Sequence, residues 1–316
     1  MTAPTSISVI IPAYNAAEFI GDALDSVKAQ EIQDLQVIVV DDGSADGTAD
    51  RVAAEHPDVE LIRKANGGAA TARNRGIAAA TGGYLAFLDA DDIWLPGKLA
   101  AQWRHLQANP DIDLVCTRFE RWQQTATRPP DEPSPAANTD EASAIPDTEI
   151  DAGLSGWVYH KLLLDCQVWT STVMMRRSLL GRIGTFDEDL RLGQDYDFWL
   201  RASRVTQIHT LRRPMALYRQ HPNSATVRGA PISYGALVIE RAVKQWGYSS
   251  PNGASVPAKQ VRERLAGIHF NLGYRHYGQT DYRRARRDFG ASLMQSPWQP
   301  RVWIYLLLSS LLVLKR

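Results

Sequence analysis

Only two cysteines, Cys116 and Cys166, occur in 316 residues, both in apolar surroundings and without metal-site spacing. That excludes a disulfide framework, and a reduced, cytoplasmic protein is the expectation. Net charge is absent as well, since 35 basic and 35 acidic residues cancel. Nothing points to bulk electrostatic attraction, so no nucleic-acid partner is expected. No apolar run reaches the length of a membrane span. The start, Met1-Thr2-Ala3-Pro4, is not a basic segment followed by an apolar one, which predicts no signal peptide. The first apolar run is followed by Pro12-Ala13-Tyr14-Asn15-Ala16-Ala17 and not by Gly-x-Gly-x-x-Gly. The glycine turn that lets a dinucleotide pyrophosphate approach a helix is therefore missing. No Gly-Lys-Ser/Thr loop exists either. A phosphate ligand would have to be held by a metal at carboxylates.

Carboxylates are present where such a ligand would need them. Tyr84-Leu85-Ala86-Phe87-Leu88 suits a buried strand and runs into Asp89-Ala90-Asp91-Asp92. Charges of this kind belong at a strand end, in a crevice. Three clustered acids repel one another unless a cation neutralises them. A hard divalent ion, shared with substrate phosphates, is the natural counter-charge. The alternative is a set of acids capping the next helix, with Pro96 in its first turn.

A hydrophobic content of 44% and a charged content of 22% are globular values. Strand-like runs cover Ser8–Ile11, Leu35–Val40, Val59–Ile62 and Tyr84–Leu88. Helical spacing covers Ile20–Val27, Thr48–Glu55 (with Asp46 as cap) and Ala69–Ala80. This alternation predicts an α/β fold with a mostly parallel sheet covered by helices on both faces. Ligands in such sheets bind beyond the carboxyl ends of the strands. Those ends carry Pro12-Ala13-Tyr14-Asn15, Asp41-Asp42-Gly43 and Asp89-Ala90-Asp91-Asp92.

The ordered set Ser8-Val9-Ile10-Ile11-Pro12-Ala13-Tyr14-Asn15, Val39-Val40-Asp41-Asp42-Gly43-Ser44, Ala72-Arg73-Asn74 and Phe87-Leu88-Asp89-Ala90-Asp91-Asp92 resembles the GT-A fold glycosyltransferases of family two. The resemblance runs from about Ser6 to Thr226. It implies an inverting enzyme that moves a sugar from a nucleoside-diphosphate donor, most commonly UDP. The acceptor would be a saccharide or lipid-linked hydroxyl in surface polysaccharide or glycan synthesis. By that resemblance Tyr14 lies against the base and Asp42 accepts a hydrogen bond from it. Arg73 lies near the base or diphosphate, and Asp89 faces the ribose. Asp91 holds Mg2+ or Mn2+ bridging the phosphates, and Asp92 supports the metal from behind. Pro12, Ala13, Asn15 and Ala90 complete the nucleotide-sugar site. Read without the resemblance, Tyr14 is a turn aromatic, Asp42 a turn acid before Gly43, and Arg73 a surface helix residue.

Further along, Pro96–Gln107 predicts an amphipathic helix and Leu114–Phe119 a strand. From Thr125 to Thr148, prolines at 129, 130, 133, 135 and 146 interrupt any apolar period, so a surface loop or flap is expected. Gly153–Leu164 reads as a short helix, Trp169–Met175 as a strand, and Arg176–Leu180 as the opening of another helix. Gly193-Gln194-Asp195-Tyr196-Asp197-Phe198-Trp199-Leu200-Arg201 opens a helix whose first turn favours acids. An acid mounted on Phe198, Trp199 and Leu200 also suits a general base. The resembling family has Glu/Asp-Asp here, with the second acid deprotonating the acceptor. That residue is Asp195, and the preceding acid is replaced by Gln194. The match to Tyr-Arg-x-His in Tyr218-Arg219-Gln220-His221 implies that His221 approaches the diphosphate or completes the metal shell; a surface loop histidine is the alternative.

Beyond about Ile232 the chain reads as helical, with helices over Leu265–Tyr277, Asp281–Met294 and Pro297–Leu314, a helical-hairpin pattern and a basic cluster at Arg283, Arg284, Arg286 and Arg287. The last helix is strongly apolar and ends at Lys315-Arg316, which suits either peripheral membrane contact or docking on the protein. The expected division is a catalytic domain over 1–228 (nucleotide-sugar half 1–120, acceptor half 121–228) and a helical region over 229–316. Two other functions fit parts of the pattern. A non-catalytic nucleotide-sugar-binding module would bind donor without turnover. A nucleotidyltransferase would normally carry a Gly/Arg/Lys-rich first loop, which is missing.

Overall fold

The computed structural model describes residues 6–123, 145–221 and 232–314. Most of the proline-rich stretch, Asn223, Ser224 and Lys315-Arg316 lie outside them. The chain divides into two compact units, Met1–Val158 with Gln167–Arg228, and Tyr159–Cys166 with Gly229–Arg316.

The first unit is built on an eight-stranded mixed sheet in the order β3-β2-β1-β4-β7-β6-β8-β5. Its strands are β1 (Ile7–Ala13), β2 (Leu35–Asp41), β3 (Glu60–Arg63), β4 (Tyr84–Phe87), β5 (Ile93–Trp94), β6 (Leu114–Gln123), β7 (Met174–Arg176) and β8 (Ile208–Gln220). β3, β2, β1 and β4 are parallel, β7 is antiparallel to both β4 and β6, and β6 and β8 are parallel. β1 is nearly all apolar because it is buried on both faces. Its pairing with β4 stops at Ile10, so Pro12 sits where one flank has no strand needing its missing N–H.

Helices α1 (Ile20–Lys28), α2 (Thr48–Glu55), α3 (Ala69–Ala79) and α4 (Lys98–Ala108) follow β1, β2, β3 and β5. The small residues of α3 permit close approach to β1: a Cβ on Gly76 would lie 2.5 Å from Ile10 Cγ2. Asp46 is not the cap of α2, which is Gly47 with no side-chain cap bond; from one position further out it accepts from the Thr48 N–H at 3.0 Å and from the Ala17 N–H at 2.9 Å. Pro96 does not open α4. It precedes Gly97, whose positive φ starts the helix two residues later.

Two stretches differ from expectation. Trp169–Met175 is not one strand, because Thr170–Thr172 forms a 3-10 turn before β7. One of its hydroxyls bonds locally, Thr172 Oγ1 donating to the Trp169 carbonyl at 2.6 Å, which competes with a strand ladder, and the other two bond distant acids. Of Gly153–Leu164, only α5 (Tyr159–Leu162) is α-helical. A short α6 (Leu180–Ile183) precedes α7 (Gln194–Ala202).

The second unit holds α5, α8 (Tyr234–Trp246), α9 (Ala258–Gly278), α10 (Tyr282–Gln295) and α11 (Pro300–Leu314). Ala285, Phe289, Leu293 and Val302 form its apolar centre, with Phe270, Tyr277, Tyr305 and Leu306 packed around them. A buried pair, His276 Nδ1 and Asp288 Oδ2 at 2.7 Å, links α9 to α10, and Asp281 caps α10 through the Arg284 N–H.

Candidate active site

The carboxyl ends of β1, β2 and β4 converge, as the topology requires. Tyr14 follows β1 and is 52% exposed, leaving its ring free to lie against a ligand. Asn15 adopts a left-handed conformation and braces two loops: its N–H donates to Ser44 Oγ, and its Oδ1 accepts from the Ala45 N–H, both at 2.9 Å. Ala13 closes β1 through its carbonyl, which accepts from the Asp42 N–H at 2.8 Å.

Asp42 is buried, and its carboxylate accepts from the Gly67 N–H at 3.0 Å, the Gly68 N–H at 2.7 Å and the Lys64 ammonium. Three of about four lone-pair positions are thereby used, so one further donor fits. Sequence reasoning missed Lys64. The signal was available, since Lys64 immediately follows β3 and so occupies the fourth parallel strand end.

Arg73, on α3, is buried and donates to Asp89 Oδ1 at 2.6 Å. Burial alone would lower its pKa, but the charges of Asp89, Asp195 and Asp91 outweigh that and hold it raised. Its Nε and Nη1 are buried without a partner among the described residues. The next residue, Asn74, makes a two-way clamp on Phe186, donating to its carbonyl at 2.9 Å and accepting from its N–H at 3.0 Å.

The acids after β4 diverge. Asp89 faces Arg73. Asp91 lies against His221, with Nε2 at 3.0 Å from Oδ2. Ala90 is buried between them in sequence. Asp92 turns inward at 1% exposure, accepting from Ser171 Oγ, from Trp169 Nε1 at 3.1 Å and from the Arg219 N–H at 3.2 Å. Burial, followed by the charge of Asp89, raises the Asp91 pKa; burial and then the charges of Asp91 and Asp89 push Asp92 well above the carboxylate range. Arg219 holds this corner together. Its guanidinium is buried, donates to the Asp91 carbonyl at 2.9 Å and to Asp22 at 2.7 Å, and stacks 5.0 Å from Phe19 and 4.5 Å from Trp122.

Asp195 stands in the first turn of α7, which starts from the left-handed Gly193 (φ 73°). Thr170 Oγ1 donates to Asp195 Oδ2 at 3.3 Å. The mount is rigid: Phe186 stacks on Phe198 at 4.3 Å, and Trp199 meets Phe198 and Phe87 edge-on. Asp197 is spent on Arg201 at 2.8 Å. Gln194 is buried, and its Oε1 has no partner among the described residues. The 3-10 turn is the piece that sequence reasoning misread, and it is central here. Ser171 Oγ contacts Asp92 and accepts from the Asp89 N–H at 3.1 Å, while Thr170 contacts Asp195.

Among the described residues no three His, Cys, Asp or Glu side chains converge as a closed metal cage. One carboxylate and one imidazole do converge, at Asp91 and His221, beside two more acids. That donor set fits a divalent ion that takes its remaining ligands from phosphate oxygens and water.

Residues 8–167 match the family described as "Glycosyl transferase family 2". The chain is 31% identical over 246 residues to the uncharacterized glycosyltransferase EpsJ of Bacillus subtilis (strain 168), covering 76% of this chain and 67% of that protein. It is 31% identical over 227 residues to the uncharacterized glycosyltransferase RP339 of Rickettsia prowazekii (strain Madrid E), covering 70% and 65%. The chain thus spans about two thirds of the length of these relatives. Among solved structures, S. aureus TarS 1-349 in complex with UDP-GlcNAc matches with a TM-score of 0.61 at 18% identity, over 97% of this chain and 86% of that one. The mannosyltransferase PcManGT from Pyrobaculum calidifontis, in complex with GDP-Man and Mn2+, matches with a TM-score of 0.56 at 19% identity, over 99% and 86%. At such identities the likeness to the solved structures is one of fold.

Proposed function

The chain belongs to glycosyl transferase family 2, and on that premise we propose that it is an inverting transferase using a nucleoside-diphosphate sugar, with UDP as the nucleotide. The observation that carries this reading is geometric. Arg73 donates to Asp89 at 2.6 Å, Ser171 accepts from the Asp89 N–H and donates to Asp92, and the adjacent Thr170 donates to Asp195, so one turn joins the donor-side acids to the acid on α7. A binding module would have no need of Asp195 there.

In this reading Tyr14 covers the base, Asp42 accepts its imide N–H with its remaining lone pair, Asp89 faces the ribose, and Arg73, paired with Asp89, lies near the base or diphosphate. Asp91 and His221 would hold a divalent cation, which when bound supplies charge stabilisation for the departing diphosphate. Asp195 takes the proton from the attacking acceptor hydroxyl at its carboxylate. Thr170 keeps that carboxylate oriented. The orphan Oε1 of Gln194 accepts from an acceptor hydroxyl. The acceptor is a saccharide or lipid-linked saccharide. Support for the nucleotide comes from the UDP-GlcNAc complex of TarS, and support for the metal from the Mn2+ complex of PcManGT.

The second unit has an observation of its own. No helix among the described residues is long and apolar enough to cross a membrane. Yet α11 leaves Trp303, Ile304, Leu307, Leu308, Leu311 and Leu314 exposed. A helix of this kind rests in a membrane interface, and Arg283, Arg284, Arg286 and Arg287, all exposed on α10, favour anionic lipid.

Mass spectrometry of products, with proton NMR to read their anomeric configuration, tests the central reading. A panel of UDP- and GDP-sugars is incubated with Mn2+ or Mg2+ and free or lipid-linked saccharides. A new glycoside with inverted anomeric configuration is expected. Retention of configuration, or no consumption of any nucleotide sugar, would overturn it.

A further inference from the structure

Three aromatic rings that no donor role uses lie together in the first unit. Trp169 and Tyr218 have ring centroids 4.3 Å apart, Phe119 and Trp169 are 5.3 Å apart, and Phe119 meets Tyr218 edge-on at 6.4 Å. All three are half-buried, unlike the aromatic core around Phe198. The cluster sits beside the chemistry. Trp169 Nε1 donates to Asp92 at 3.1 Å, and the next residue, Thr170, donates to Asp195. Tyr218 precedes Arg219, whose N–H donates to Asp92. Phe119 falls in the one irregular stretch of the β6–β8 ladder, where Arg118 pairs with Pro214 and Glu120 with Leu217. Such bulges re-aim side chains next to active sites.

We propose that Phe119, Trp169 and Tyr218 form the acceptor subsite and that its ligand is a pyranose ring. This rests on the transferase reading above and names its acceptor class. The chemistry fits a sugar better than an acyl chain or a nucleotide. A pyranose has an apolar face of C–H groups and a rim of hydroxyls. It needs an aromatic surface below and a few placed acceptors at its edge. The rings supply the surface. Asp195, which accepts from Thr170 beside Trp169 in the chain, supplies a polar group next to them. The indole is held in orientation by Asp92, so the platform is preorganised and not assembled by the ligand.

Saturation-transfer NMR on the full chain tests this, with methyl β-D-glucopyranoside, methyl β-D-galactopyranoside and methyl α-D-mannopyranoside as probes, glycerol as the polar control, and UDP and Mn2+ present. Transfer from aromatic protons to pyranoside C–H protons is expected, with none to glycerol. Phe119→Leu and Tyr218→Leu should each weaken pyranoside binding by about threefold to tenfold, the usual worth of an aromatic contact. The UDP isotherm should stay at its wild-type value, and the unfolding temperature should fall by no more than about 2–4 °C, since Phe119 also packs on the core. Trp169→Phe keeps the ring, and should bind better than Trp169→Leu. The absence of transfer to every pyranoside, wild-type binding by both leucine variants, or a joint loss of UDP binding and thermal stability would overturn the subsite. A wild-type chain that binds pyranosides through these rings but moves no sugar would overturn the transferase reading and leave the site standing.

Discussion

His221 Nε2 lies 3.0 Å from Asp91 Oδ2, across 130 residues of chain. The contact joins the end of β8 to the acids after β4, and packs the imidazole 4.5 Å from Phe19. It gives a corner of one imidazole and one carboxylate, whose charged form is disfavoured by burial and by Asp89. Asp91→Asn removes the charge and keeps the shape. Turnover should fall by about two orders of magnitude or more, the scale of losing one charge-stabilising group. Calorimetry should show UDP binding that no longer strengthens with Mn2+. Unchanged metal-dependent affinity would move the ion elsewhere.

The contact between Gly76 and Ile10 carries a stability prediction. The Cβ of Gly76→Ala would meet Cγ2 of a fully buried, stiff Ile10 at 2.5 Å. Overpacking of this kind costs about 1–3 kcal/mol, against a return of about 1 kcal/mol from helix propensity. The melting temperature should fall. A Cβ added to Gly290, on α10, would meet nothing within 4 Å. Gly290→Ala should raise stability by about 0.5–1 kcal/mol. If both variants melt alike, α3 does not approach β1 this closely.

Much of this was legible from residue patterns, for identifiable reasons. β1, β2 and β4 are dense apolar runs with Pro, Gly or acidic punctuation, so their ends and the residues standing there were readable. His221 was placed by its motif. The central turn at Thr170–Thr172 was not readable, because Thr and Val both favour strands. Its hydroxyl bonds to Trp169, Asp92 and Asp195 decide the conformation, and they depend on residues up to 79 positions away. Arg219 was hidden for a similar reason. Its buried partners, Asp22, Phe19 and Trp122, are distant in sequence and none has a spacing that announces it.

Two histidines outside the site should make stability depend on pH. His105 Nε2 and His209 Nδ1 are 2.9 Å apart. Burial, and then His209, pushes His105 down from its ordinary 6.5 to about 4, and burial lowers His209 as well. The folded state therefore binds fewer protons than the unfolded chain between these values. Stability from this pair is complete above about pH 6.5 and is lost as the pH falls toward 4. His105→Gln should flatten the melting-temperature profile between pH 6.5 and 5, measured by scanning fluorimetry beside the wild type. Parallel profiles would mean that the pair is not neutral when folded.

The exposed apolar residues of α11 should bind lipid. Sedimentation with vesicles containing phosphatidylglycerol should carry down the full chain. The substitutions Leu307→Glu and Leu311→Glu, at two exposed positions, should release it without changing the unfolding temperature. Failure of the full chain to sediment would remove the membrane reading.

Asp195→Asn separates the two roles open to an acid at the start of α7. Asparagine is itself favourable at a helix start, and it still accepts from Thr170. A residue needed only for the helix would tolerate the change. A general base would not, because an amide cannot take the acceptor's proton, and the loss is roughly 10²–10⁴-fold in rate. UDP and Mn2+ binding should persist, since Asp195 contacts Thr170 and not the residues around Asp42. The nearest other acid on the helix, Asp197, is held by Arg201 at 2.8 Å and is a poor substitute. Steady-state transfer should therefore collapse beside an intact UDP isotherm. Near-normal transfer by the asparagine variant would place the base elsewhere, and Asp197→Asn would then be the next substitution to make.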